Sequence, residues 1–386
     1  MKEVLRLNPI SPLVDSVFGD KFKLVAESDA PVGIMVRSFK MHDYEPAKSV
    51  LCVGRAGAGV NNIPCDKYGE QGIVVFNAPG ANANAVKELV LLSLLLSGRK
   101  IIEGIQWTQS LKGKGDEVGP AVEKGKKDFV GGEIFGKKIG IYGLGAIGRL
   151  VANACAALGM NVVAYNRTVR EEIAKELDPR VKIVNSFEEM VEGCDFISLH
   201  VALKDNTRGC INADVIAKLN DGASIINAAR GELVNVEDVK AALASGKLNR
   251  YVVDFPSDDV LGVDGIIPIP HLGASTPEAE DNCAVMAGKE LVDFVENGNI
   301  VNSVNYPSVS LERSGAQRVV VLFNKVDCAC DAIKAAIENA GVKVVNSVCA
   351  KGKATAAALL DIDKAADESL VAALEAIDGV AKARLC

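Results

Sequence analysis

The stretch Lys137 to Gly148, KKIGIYGLGAIG, decides how the rest of the chain is read. Two lysines lead into a short apolar run of strand type, which stops at glycines 143, 145 and 148; the following RLVANACAALG carries apolar residues at helical spacing. Strand, tight turn and helix start is the context in which a GxGxxG sequence receives a dinucleotide. Gly143 permits the turn, Gly145 lets a pyrophosphate approach the backbone, and Gly148 lets the helix pack on the strand. The helix N-terminus then offers unpaired N–H groups to the anion. After the next strand, Asn161 to Tyr165, stand Asn166 and Arg167. Dinucleotide folds commonly carry an acid here, which binds the ribose hydroxyls and repels a 2'-phosphate. An amide followed by a cation leaves both NAD and NADP open.

Downstream, CDFISLHVAL (194 to 203), ASIINAARG (223 to 231) and YVVDF (251 to 255) read as three more buried strands. With the first two they make at least five strands of a doubly wound sheet. Their ends carry His200, Arg230 and Asp254, and His271 follows. The chain has only 3 histidines, so a base working near neutral pH is His200, His271 or a different residue type. Upstream, residues 1 to 80 alternate strands and helices, as in a small parallel α/β domain. Arg37 with Ser38, and Arg55 with Gly57, Ala58 and Gly59, each follow an apolar strand, where such sheets bind ligands. They are candidates for an anionic substrate; surface arginines beside an ordinary turn are the alternative. The leucine-rich segment from Ala85 to Thr108 reads as one long helical stretch.

A length of 386 residues predicts two or three domains. Hydrophobic content of 49% and a net charge of -7 describe a globular enzyme-like chain and argue against a nucleic-acid partner. The 10 cysteines are scattered singly apart from Cys328 and Cys330, with no CxxC pair and no histidine at ligand spacing. We therefore expect no metal site, and free buried thiols in a reducing cytoplasm. The run Val90 to Leu96 is too short to span a bilayer, and the N-terminus lacks a signal sequence, so the expectation is a cytoplasmic protein without a membrane partner.

Taken together, RAGAGVNNI, GLGAIG, NAARGELVN, VVDFPSDD and PHLGASTPEAEDNCA resemble the D-2-hydroxyacid dehydrogenases. The resemblance implies a Rossmann domain over residues 82 to 273, inserted in a flavodoxin-like substrate domain made of 1 to 81 and 274 to 306. It implies a small anionic 2-hydroxy acid as substrate and a homodimer or homotetramer. The family's catalytic arginine, carboxylate and histidine map onto Arg230, Asp258 and His271, with Asp259 as rival to Asp258; the family usually has glutamate there. Family cofactor contacts carry over to Ala146, Ile147, Asn166, His200, Ala228, Ala229, Arg230, Asp254, His271 and Gly273. Residues 317 to 386 show the βαββαβ order of a ferredoxin-like α+β unit and resemble the ACT regulatory domain. The positions that would receive serine there now carry Lys325, Asp327, Asp331 and Lys343. A regulatory fold without its serine-binding residues is the expectation.

Overall fold

The computed structural model describes residues 1 to 326 and 329 to 386, so Asp327 and Cys328 lie outside the described residues. These fall into two compact units, Ala83–Thr276 and Met1–Asn82 with Pro277–Cys386.

Ala83–Thr276 is built on a seven-stranded sheet whose paired strands are all parallel. Its spatial order is Ile266–Pro268, Leu248–Val253, Ala223–Asn227, Phe196–Leu199, Lys138–Tyr142, Asn161–Tyr165 and Lys182–Ile183. Helices cover both faces, so successive residues of one strand enter different cores: Ile225 packs with Leu199 and Tyr251, and Ile226 with Ile141 and Val151. This is why the central strands read as unbroken apolar runs. The stretch expected as one helix is two, Ala83–Gly98 and Ile101–Ser110. Gly98 O accepts from Gly132 N, and a Cβ on Gly131 would lie 2.4 Å from that oxygen. The returning glycine segment therefore packs against the last turn of the first helix. The basic piece after it forms a further helix, Val118–Gly125, whose Gly125 lies under the Trp107 ring.

The other unit holds two sheets. The first is parallel, in the order Phe22–Val25, Lys2–Arg6, Gly33–Val36, Cys52–Arg55, Val74–Phe76. The second is antiparallel, in the order Val344–Lys351, Ala356–Ile362, Gln317–Phe323, Val380–Leu385. Helices Cys330–Asn339 and Glu368–Glu375 pack on one face of the second sheet, against Val319, Val321 and Leu360. From the other face Val320, Leu322, Ala357 and Leu359 join the core of the first sheet, beside Phe294 and Leu291 of helix Pro277–Asn297. The continuous runs VVVLF and AAALL follow from burial on both faces. The sheet belongs to the same compact unit as residues 1 to 82.

Polar groups reinforce that packing. Arg384 donates to Phe294 O and Val295 O, Arg313 to Glu296 O, and Arg318 to Asn297 O. The last four carbonyls of helix Pro277–Asn297 thus all receive arginine N–H groups. Arg318 also forks onto Asp361, at 2.6 and 3.0 Å, with both residues fully buried.

Candidate functional site

The glycine turn has the geometry its sequence calls for. Gly143 has φ +100, and a Cβ there would lie 2.7 Å from His200 O. A Cβ on Gly148 would lie 1.9 Å from Gly143 O. Gly145 differs, since nothing stands within 4 Å of the position a Cβ would take. It caps helix Ala146–Ala157 without any side-chain hydrogen bond, so the first N–H groups face open space. Ala146 and Ile147 open that helix, where these N–H groups lie. An anion of pyrophosphate type fits this cradle.

Asn166 does something the sequence did not show. Its carbonyl oxygen accepts from Leu144 N at 3.0 Å, and its amide donates to Thr168 O. The side chain braces the turn with one lone pair of its oxygen and one N–H of its amide. Arg167 beside it is exposed. His200, also near the turn, has Nε2 2.8 Å from Ser198 Oγ, and burial pushes its pKa down to about 4. It is neutral near pH 7, which suits a packing role better than that of a base.

Arg230 and His271 meet through a residue that the sequence reading did not single out. The Arg230 guanidinium lies 4.9 Å from the Phe255 ring centroid, and the His271 ring centroid lies 4.2 Å from it. Arg230 follows Ala228 and Ala229 on the turn after Ala223–Asn227, held by Asn227, whose amide donates to Arg230 O and whose Oδ1 accepts from Ala229 N and Arg230 N. One guanidinium N–H goes to Ala229 O, and the side chain is otherwise exposed. A forked cation beside an exposed imidazole can hold a carboxylate while the ring takes a proton.

His271 has φ +53, a region that side chains other than glycine seldom occupy. Asp254 holds it there. The buried carboxylate accepts from Leu272 N at 2.7 Å and Gly273 N at 2.9 Å, and a Cβ on Gly273 would strike Asp254 Oδ2. Burial raises the Asp254 pKa, against these two bonds and the His271 charge. The expected carboxylate partner of His271 is not in place, because neither Asp258 nor Asp259 bonds the imidazole. Both sit exposed in the turn Asp258–Val260, where Asp259 takes the Ser257 hydroxyl. What packs on the imidazole is Phe255, part of the wall of a cavity of about 380 Å³ that also involves Gly231, Tyr251 and Asp259.

In the other unit, Arg37 and Arg55 end adjacent strands, and Arg55 Nε donates to Arg37 O. The Arg55 guanidinium covers Gly57, where a Cβ would lie 2.2 Å from it. Asn77 bonds Ala58 O and Asn8 bonds Ser38 Oγ, while Gly59 is half-buried beside them. Arg37 pairs with Glu280 at 2.6 Å, a partner the sequence did not reveal.

Residues 92–273 match the D-isomer specific 2-hydroxyacid dehydrogenase NAD binding domain. The chain is also 36% identical to the hydroxypyruvate reductase of Thermotoga maritima over 283 residues, 71% of this chain and 85% of that protein. The chain belongs to the D-isomer specific 2-hydroxyacid dehydrogenases. This dehydrogenase is 29% identical to the D-3-phosphoglycerate dehydrogenase of Haemophilus influenzae over 383 residues, 95% of this chain and 89% of that one. A glyoxylate reductase structure from Paecilomyes thermophila superposes with TM-score 0.63 and 25% identity, over 78% of this chain and 98% of its own. The chain spans about half the length of other curated relatives that it matches, 52% and 54% of two of them.

Proposed function

We propose that this dehydrogenase oxidises D-3-phosphoglycerate at C2 to 3-phosphohydroxypyruvate, the first step toward L-serine, with NAD as cofactor. The observation that carries this reading is the extent of the Haemophilus likeness, which includes the C-terminal sheet. NAD, when bound, supplies the hydride acceptor. Arg230 holds the substrate carboxylate in its guanidinium fork and polarises the C2 oxygen. The His271 imidazole accepts the C2 hydroxyl proton, and returns it in the reverse reaction. Asp258 is the remaining candidate for a carboxylate that orients His271, which requires its turn to move. Asp254 keeps the His271 segment in its left-handed conformation, and Arg37 and Arg55 attract the substrate's phosphate or carboxylate.

The same reading assigns residues 82 to 273 to the cofactor, 1 to 81 with 274 to 306 to the substrate, and 317 to 386 to an ACT-like regulatory role. It makes the protein a cytoplasmic homodimer or homotetramer that binds neither nucleic acid nor membrane. Exposed Leu92, Leu95 and Ile105 support self-association, and no described helix is long and apolar enough to cross a membrane. Reduction of hydroxypyruvate or glyoxylate is the second reading, favoured by the 36% identity to the Thermotoga reductase.

The deciding experiment is steady-state kinetics on phosphoglycerate, glycerate and hydroxypyruvate with NAD and NADP. We expect the highest kcat/KM on phosphoglycerate, and some NADP use because no acid follows Tyr165. Turnover confined to unphosphorylated acids selects the second reading.

A further inference from the structure

We propose that Cys330 and Cys349 form a thiol–disulfide exchange site on the C-terminal sheet, which reacts with a small disulfide of the glutathione class. The sequence separates these residues, but the fold brings their Sγ atoms to 2.6 Å. A disulfide bond needs a further approach of about 0.5 Å. Cys330 is the first residue of helix Cys330–Asn339, whose cap residue Ala329 gives no side-chain hydrogen bond. The N-terminal end of the helix dipole favours a thiolate at that place. Cys349 lies on Val344–Lys351, the edge strand of the sheet, and is exposed. One thiol is thus biased toward its reactive form and its neighbour is open to solvent.

The contrast with other cysteines is physical. Cys52 and Cys155 are buried, with thiol pKa values pushed up to about 12, and buried Cys194 is pushed to about 11. Apolar burial keeps these as unreactive thiols. In the exchange, one protein thiolate attacks the small disulfide, forms a mixed disulfide and releases the first small thiol. The second protein thiolate then attacks the protein sulfur of that mixed disulfide and releases the second small thiol. Two protein thiols and one small disulfide become one protein disulfide and two small thiols, so electrons and protons balance. The product ties the start of the helix to the edge strand.

The test equilibrates the full chain with mixtures of reduced and oxidised glutathione, blocks remaining thiols, and digests it with trypsin without reduction. Peptides Val326–Lys334 and Val344–Lys351 are expected to appear joined, lighter by two hydrogens than their sum. Cys328 shares the first peptide, so Cys328→Ser should keep the link and Cys330→Ser should abolish it. A link that survives Cys330→Ser, glutathione adducts without an internal link, or no reaction at any ratio each overturns the assignment. The readout is a mass, so the result stands whatever substrate the dehydrogenase turns over.

Discussion

Two helix ends show how differently this chain treats the same physical problem. Every helix leaves about four unpaired N–H groups at its start and four carbonyls at its end. At Gly145 the N–H groups face open space, with no capping side chain and no neighbour within reach of an added Cβ. At Phe294 to Asn297 the carbonyls are all taken by Arg313, Arg318 and Arg384. Groups left open belong with a ligand that comes from outside; groups paired within the chain fix one part of the fold to another. The same distinction separates His271, which is exposed, from Lys325, which forms an ion pair with Asp378 in the turns beside the C-terminal sheet.

The largest expected effect is at the paired end. Arg318→Ala leaves Asp361 buried without its cation, and should lower the stability of its unit by about 3–5 kcal/mol in denaturant titration. Arg318→Met with Asp361→Leu should recover most of that loss; if it does not, the arginine's bond to the helix carbonyl matters more than the ion pair. At the open end, His271→Ala should lower kcat about a hundredfold while NAD affinity holds. Gly148→Ala should cost about 1–3 kcal/mol, since its Cβ meets a backbone oxygen. Gly145→Ala should fold normally and weaken NAD binding about tenfold; equal damage to folding by both would erase the difference between packed and open glycines.

A smaller effect comes with acid. Burial pushes the Asp361 pKa up, but the Arg318 fork and the bonds from Ser314 outweigh it and hold the carboxyl below its ordinary value. A group depressed in the folded state adds stability above its unfolded pKa, and that stability is lost as pH falls through the folded value. Asp361→Asn should therefore flatten the acid side of the stability profile. The smallest effect is none at all: L-serine at millimolar concentration should leave activity unchanged, because Lys325 is engaged with Asp378, and Asp331 and Lys343 carry charge. Saturable inhibition in a serine titration would show that this region is as open as Gly145.

The open end was legible because its physics is local. Glycines at three positions, a strand before them and a helix after them are all visible within one short stretch, and burial on both faces explains the runs VVVLF and AAALL. The paired end was not legible, because Arg318 and Arg384 meet Asn297 and Phe294 across long stretches of chain, and no neighbouring residue marks them. Phe255 was hidden for the same reason, since its ring meets Arg230 and His271 only after three strand ends converge. The turn-bracing bonds of Asn166 were not legible, because its position in the motif points to a ligand and says nothing of Leu144 or Thr168. Cys330 and Cys349 looked like separate thiols until helix and strand met.

The left-handed backbone of His271 has a consequence for how this chain can change. Glycine would occupy φ +53 without penalty, so the imidazole stands where folding alone would not choose it. His271→Gly would relieve that backbone cost, and with it the need for Asp254 to hold Leu272 and Gly273. The proposed role of His271 as base would account for keeping an imidazole at that backbone cost.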